Sequence, residues 1–215
     1  MTKLITVTGR PGAGKTTVAA ILAEKLADKY IVCLIDNNRN NINIYSSASP
    51  VDNINLYSCL SDKESCHLAI KESATKLNKN LYFFSGGHEP LTEEEIQVLK
   101  EQDIFEYIIL DSVIEIKNEV IDHNITVLNP NNFEYRVASD SKNIIIVNRY
   151  ADNTEFKIRK QDFKLFFCPE IINFTNGYEL HLPESSETEI KKILGKIADK
   201  SDVNTKPKFK LFGGR

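Results

Sequence analysis

The sequence has little that would tie it to a lipid interior, a metal cluster or an oxidising compartment. No unbroken apolar run exceeds six residues, as in Val18–Ala23, whereas a membrane-spanning helix needs about 20. The amino-terminal MTKLITV enters a strand pattern at once and lacks a signal peptide's apolar stretch. No sign of charge dominates: 27 Lys and Arg face 30 Asp and Glu, leaving net −3 over 215 residues. That balance excludes a uniformly basic nucleic-acid binder. The four cysteines (Cys33, Cys59, Cys66, Cys168) show no CxxC spacing and read as reduced thiols of a cytoplasmic protein. The four histidines (His67, His88, His123, His181) have no metal-ligand spacing, and no Ser/His/Asp or Cys/His arrangement stands out.

What is present is an alternation of short β-branched runs with amphipathic stretches. Strands are expected at Leu4–Thr8, Ile31–Asp36, Leu81–Phe84, Tyr107–Asp111, Ile125–Leu128, Ile144–Asn148 and about Ile171–Phe174. Several are apolar on both faces, as in a parallel sheet covered by helices. Helices are expected at Lys15–Asp28, with Val18, Ile21, Leu22 and Leu26 on one side, and at about Lys63–Leu77, Glu93–Glu101 and Glu187–Lys200. This βαβα rhythm predicts an α/β fold, a doubly wound and mainly parallel sheet flanked by helices. It forms one domain over residues 1–200, followed by a flexible tail over 201–215. The polar stretch Asn37–Asn55 reads as a long mobile loop. Thr92 followed by Glu93-Glu94-Glu95 reads as a helix amino terminus.

Gly9-Arg10-Pro11-Gly12-Ala13-Gly14-Lys15-Thr16 fits G-x-x-x-x-G-K-[ST] between an expected strand and an expected helix, the context a phosphate-binding loop requires. Glycines let successive backbone N–H groups curl around phosphate, and the helix terminus adds its positive end. Lys15 should reach the β- and γ-phosphates, and the Thr16 hydroxyl should bind Mg²⁺. The second element is the apolar strand ending in Asp111, where a carboxylate could hold a magnesium-bound water.

The run Arg10-Pro11-Gly12-Ala13-Gly14-Lys15-Thr16-Thr17 resembles the deviant phosphate loop K-G-G-x-G-K-T-T of the ParA/MinD ATPases, which position plasmids, chromosomes, division sites or surface machines. The resemblance extends from about Lys3 to Asp199. Ile31–Asp36 resembles the strand that ends D-x-D, and Asn80–Gly87 resembles the third strand with its glycine turn. Ile108–Asp111 resembles the metal-site strand, and Ile145-Ile146-Val147-Asn148-Arg149-Tyr150 is similar to the V-x-N-R strand end. The features most resemble the MinD and CpaE/TadZ branches. The resemblance implies a dimeric, nucleotide-dependent switch with slow ATP hydrolysis. ATP would be held by Gly12, Ala13, Gly14, Lys15, Thr16, Thr17, Asn148 and Arg149, and Mg²⁺ by Thr16 and Asp111. Lys15, Arg10, Asp36 and Asn38 would act in catalysis. Asn148 would read the adenine edge, since an amide offers one donor and one acceptor to a base; a lone Asn there could equally cap a turn.

Two positions depart from the family pattern. Its signature lysine, which reaches a partner's phosphates, is Arg10 here; the charge is kept but a planar fork replaces a compact ammonium. The alternative is a plain solvent-facing loop charge. The second Asp of D-x-D is Asn38, an uncharged amide that accepts no proton, so hydrolysis would be slow or lost, leaving a nucleotide-binding scaffold. A small nucleoside or nucleotide kinase is the other alternative, but the six arginines are scattered and form no Arg-rich lid.

The tail Lys206-Pro207-Lys208-Phe209-Lys210-Leu211-Phe212-Gly213-Gly214-Arg215 resembles a shortened amphipathic targeting tail of MinD. Three large apolar side chains and four cations there suit reversible contact with an anionic membrane, so the protein is expected in the cytoplasm or peripherally at the inner membrane face. An ordinary solvated terminus or a protein-docking peptide is the alternative. The cluster Lys157-Ile158-Arg159-Lys160 with Lys164 reads as a solvated face, diluted by Glu155 and Asp162, and specific nucleic-acid binding is not expected.

Overall fold

A computed structural model describes residues 1–37, 74–84, 90–112, 116, 119–130, 142–150, 162–166 and 182–198. Among the described residues eight strands form one sheet: β1 (Lys3–Gly9), β2 (Val32–Asn37), β3 (Thr75–Lys76), β4 (Leu81–Phe84), β5 (Tyr107–Ser112), β6 (His123–Leu128), β7 (Asn143–Tyr150) and β8 (Phe163–Phe166). Their order is β3-β4-β2-β5-β1-β6-β7-β8. Every pairing is parallel except that of β3 with β4. The described helices are α1 (Lys15–Ala27), α2 (Glu93–Glu101) and α3 (Glu184–Ile197).

The central strands are mostly apolar on both faces because helices cover both, with polar residues gathered toward the carboxyl ends of β2 and β5. All residues of β2, β4 and β5 are buried. On one face Ile5, Val7, Leu34, Ile109, Ile125 and Ile146 pack with α1 and with Ile190, Ile193 and Ile197 of α3. On the other, Leu4, Cys33, Ile35, Ile108 and Leu110 pack with Ile96 and Leu99 of α2. Helix α1 is buried over more than one stripe, since Val18, Ala19, Ala20, Ile21, Leu22 and Ala23 are all enclosed. Its alanines let it lie close to the sheet with α3 beside it. Burial pushes the Cys33 thiol well above its ordinary pKa, so it stays a neutral core side chain.

Helix α2 has the expected bounds. The Thr92 hydroxyl accepts from Glu95 N, and Glu95 reaches back to accept from Thr92 N, a reciprocal cap. At the far end Lys100 Nζ lies 2.6 Å from Asp122 Oδ2, which also accepts from Leu4 N at 2.8 Å. That carboxylate ties α2 to the start of β1 and β6.

The expected helix about Lys63–Leu77 is corrected at its end: Thr75–Lys76 form β3, antiparallel to β4. The cause is a tight turn. The Asn78 side-chain oxygen accepts from Asn80 N and Leu81 N, which folds the chain back on itself. The long loop expected from Asn37 is corrected at its first residue, because Asn37 ends β2 with 3 % exposure; residues 38–55 lie outside the described residues. β7 continues past Asn148 to Tyr150. The last helix starts earlier than expected, behind Pro183. The strand about Ile171–Phe174, residues 63–73 of the expected helix, the Gly86-Gly87 turn, the 157–160 cluster and the tail lie outside the described residues. β8, pairing with β7 at the sheet edge, was not expected.

Leu22 is fully enclosed between sheet and helices. Leu22→Ala should lower unfolding free energy by about 2–5 kcal/mol, read as a shifted urea midpoint with an unchanged slope.

Candidate nucleotide site

β1 ends at the middle of the sheet, with β5 on one side and β6 on the other. Connections leave this point in opposite directions, and loops at such carboxyl edges are where open α/β sheets bind ligands. The chain from Gly9 to Thr16 turns here from strand to helix. Gly9, Gly12 and Gly14 all take positive φ, at 146°, 77° and 87°. Two are confined by close neighbours. A Cβ on Gly9 would lie 2.3 Å from the Val127 carbonyl oxygen of β6, and one on Gly14 would lie 2.2 Å from Asn148 Nδ2 of β7. Only glycine fits at either end of the loop.

The amino terminus of α1 differs from that of α2. Gly14 occupies the N-cap in the left-handed region, no side chain caps the helix, and its first turn holds no acid. The first-turn N–H groups of a helix lack partners within the helix and favour an anion. Lys15 is 9 % exposed, and its ammonium donates to the Arg10 carbonyl at 3.4 Å. The cation therefore lies folded against its own loop. Arg10 itself is exposed, while Thr16 and Thr17 are half-buried.

The Thr16 hydroxyl donates to Asp111 Oδ2, joining the start of α1 to the end of β5. Asp111 is fully buried. Asp36, 2 % exposed, is its register partner on β2, so two buried carboxylates stand side by side at the carboxyl edge. A hydroxyl and a carboxylate in contact form a hard-oxygen pair of the kind Mg²⁺ uses together with phosphate oxygens and waters. The residues fit that ion. Among the described residues no group of three or more His, Cys, Asp or Glu could hold a metal alone. Asn148 Nδ2 donates to the Ala13 carbonyl at 2.9 Å. Arg149 is exposed, with φ of 55°.

Thus Gly12, Ala13, Gly14, Lys15, Thr16, Asp36, Asp111 and Asn148 converge on one edge of the sheet. Asn38 lies outside the described residues. The sequence reading missed the contact of Asn148 with the loop. It also missed the buried Asn37, whose side chain accepts from Leu91 N at 2.7 Å and donates to Ser112 Oγ at 3.5 Å. A signal for Asn37 was its place directly after Asp36, at the end of the apolar run of β2.

Solved structures of the same architecture include a ParA family ATPase from Chlorobium tepidum TLS, at TM-score 0.64 and 15 % identity over 90 % of this chain and 98 % of that one. A plasmid partition protein from Borrelia burgdorferi B31 bound to AMPPNP matches at 0.62 and 18 %, over 91 % and 98 %. The fold is that of the ParA and MinD proteins. MinD in the MinC:MinD cell division complex of Aquifex aeolicus matches at 0.60 and 20 %, over 90 % and 96 %. At these identities the likeness to ParA and MinD is one of fold. No family model and no curated protein matches the chain.

Gly9→Ala should lower stability by about 1–3 kcal/mol and, under the nucleotide-binding function proposed below, weaken that binding. The new Cβ meets backbone that cannot swing away, so the loop must leave its seat. Calorimetric titration with ATP and thermal melting measure the two effects.

Proposed function

We propose that this chain is an ATP-binding switch of the ParA/MinD kind, in which two copies close over nucleotide, hydrolyse it slowly and part. The observation that carries the reading is the Thr16–Asp111 contact beside Lys15 at an uncapped helix terminus, in a fold shared with a protein bound to AMPPNP.

In this reading the loop N–H groups of Gly12–Thr17 wrap the phosphates. Lys15 exchanges the Arg10 carbonyl for β- and γ-phosphate oxygens. Thr16 and Asp111 would hold Mg²⁺, which supplies charge neutralisation at those oxygens. Asp36, beside Asp111, orients water at the phosphate edge. Asn148 and Arg149 stand toward the base. Arg10, exposed, reaches the phosphates of the second copy, where a planar guanidinium pairs two oxygens at once. Hydrolysis adds water to the γ-phosphorus and releases ADP and inorganic phosphate. With an amide at Asn38, no carboxylate at that position takes the water's proton, and the rate rests on positioning and electrostatics.

Light scattering on a sizing column tests the switch. The mass should double with ATP and Mg²⁺, and Arg10→Ala should stay monomeric. A wild-type mass indifferent to nucleotide at high protein concentration overturns the reading. Asn38 favours a second reading, binding without turnover, and a single-turnover assay with labelled ATP separates the two.

We also propose that residues 201–215 form a targeting tail that attaches the ATP-bound dimer to anionic membrane. One such tail binds marginally, and two gain through effective concentration. No described helix is long and apolar enough to cross a membrane. In co-sedimentation with anionic vesicles the full chain should pellet with ATP, and a chain ending at Asn204 should not. Equal behaviour of the two excludes the tail.

A further inference from the structure

We infer that Asn148 is a positioning residue for the phosphate loop, holding it in its binding shape before nucleotide arrives and acting on the phosphates whichever base accompanies them. The inference rests on the nucleotide-site reading above and adds a second role for this side chain.

Three observations converge on one spot. Asn148 Nδ2 donates to the Ala13 carbonyl at 2.9 Å, joining residues 135 positions apart. Gly14, next along the loop, packs so tightly against the same amide that a Cβ would lie 2.2 Å from Nδ2. The strand that presents the amide is irregular there: the β7–β8 register shifts between Val147 and Tyr150, and Arg149 takes φ of 55°. A positive φ is costly for a residue that carries a Cβ and persists only where its surroundings hold it. The irregularity adjoins the residue whose amide meets the loop.

The contact restrains the segment that has to cradle phosphate. Ala13 is buried, and its N–H donates to the Arg10 carbonyl at 3.2 Å. That same carbonyl accepts from Lys15 Nζ. Asn148, Ala13, Arg10 and Lys15 therefore form one chain of hydrogen bonds running from β7 through the loop to the ammonium. An amide carries two N–H donors and an acceptor, so holding Ala13 is chemically compatible with reading a base edge. Ordering the loop in advance removes part of the conformational cost of binding.

Inorganic tripolyphosphate with Mg²⁺, which has no base, separates the two roles. Asn148→Ala should weaken tripolyphosphate and ATP by the same factor, about tenfold, the usual consequence of leaving a carbonyl without its donor. Hydrogen exchange without ligand gives an independent reading: the amides of Ala13–Lys15 should exchange faster in the variant, while those of α3 stay as in the wild type. Asn148→Ser, one bond too short to reach Ala13, should behave like Ala and stands in if the first variant fails to fold. Unchanged tripolyphosphate affinity with weakened ATP, or unchanged exchange in the loop, overturns the inference. If the wild type binds neither ligand, the nucleotide reading falls, and the exchange result alone still decides whether Asn148 holds the loop.

Discussion

The candidate site depends on how closely the phosphate loop approaches the ends of β6 and β7. At Gly9 the loop touches the backbone of Val127, and at Gly14 it touches the side chain of Asn148. Neither contact leaves space for a single carbon. Backbone on one side and a packed amide on the other give the loop one seat, and the direction of α1 follows from it. With α1 directed, Lys15 and Thr16 have their places: one folded onto the Arg10 carbonyl, the other on Asp111. The apolar face of α1 then meets the sheet over Val18, Ile21, Leu22 and Leu26, and that burial holds the arrangement together.

The sheet is not apolar to its ends. Thr6 and Thr8 of β1 both donate to Asn124 Oδ1 of β6, and Asn124 Nδ2 donates to Asn143 of β7. Asn37 and Ser112 pair at the ends of β2 and β5. These groups lie on the face away from α1 and satisfy one another across strands, which is the condition for burying polar side chains at tolerable cost. The Thr6–Asn124–Asn143 bonds cross β1, β6 and β7 in register near the starts of β6 and β7, so they also specify which strands are neighbours.

Local signals were legible in the sequence. Helix α2, with its reciprocal Thr92–Glu95 cap, came out residue for residue, and the strand before and helix after the glycine loop were in place. Errors fell where a partner strand or a side-chain partner decided the outcome, close in sequence for Thr75–Lys76 and distant for Phe163–Phe166 and Asn37. Thr75–Lys76 pair with β4 because the Asn78 turn brings them back onto it. Phe163–Phe166 form a strand because β7 offers an edge. Asn37 belongs to β2 because Leu91 N and Ser112 supply partners for its amide.

By itself, the sequence determined the chemistry of the loop: glycines at the turning points, a lysine and a threonine at a helix start, and a carboxylate ending an apolar strand. Each is a property of a few consecutive residues and obeys short-range sterics and hydrogen bonding. Only the tertiary structure decided what those residues meet. Thr16 finds Asp111 across 95 positions and Ala13 finds Asn148 across 135, because crossover connections place β5 and β7 at the same carboxyl edge as β1. No local pattern encodes that meeting; it follows from the order in which buried strands pack side by side.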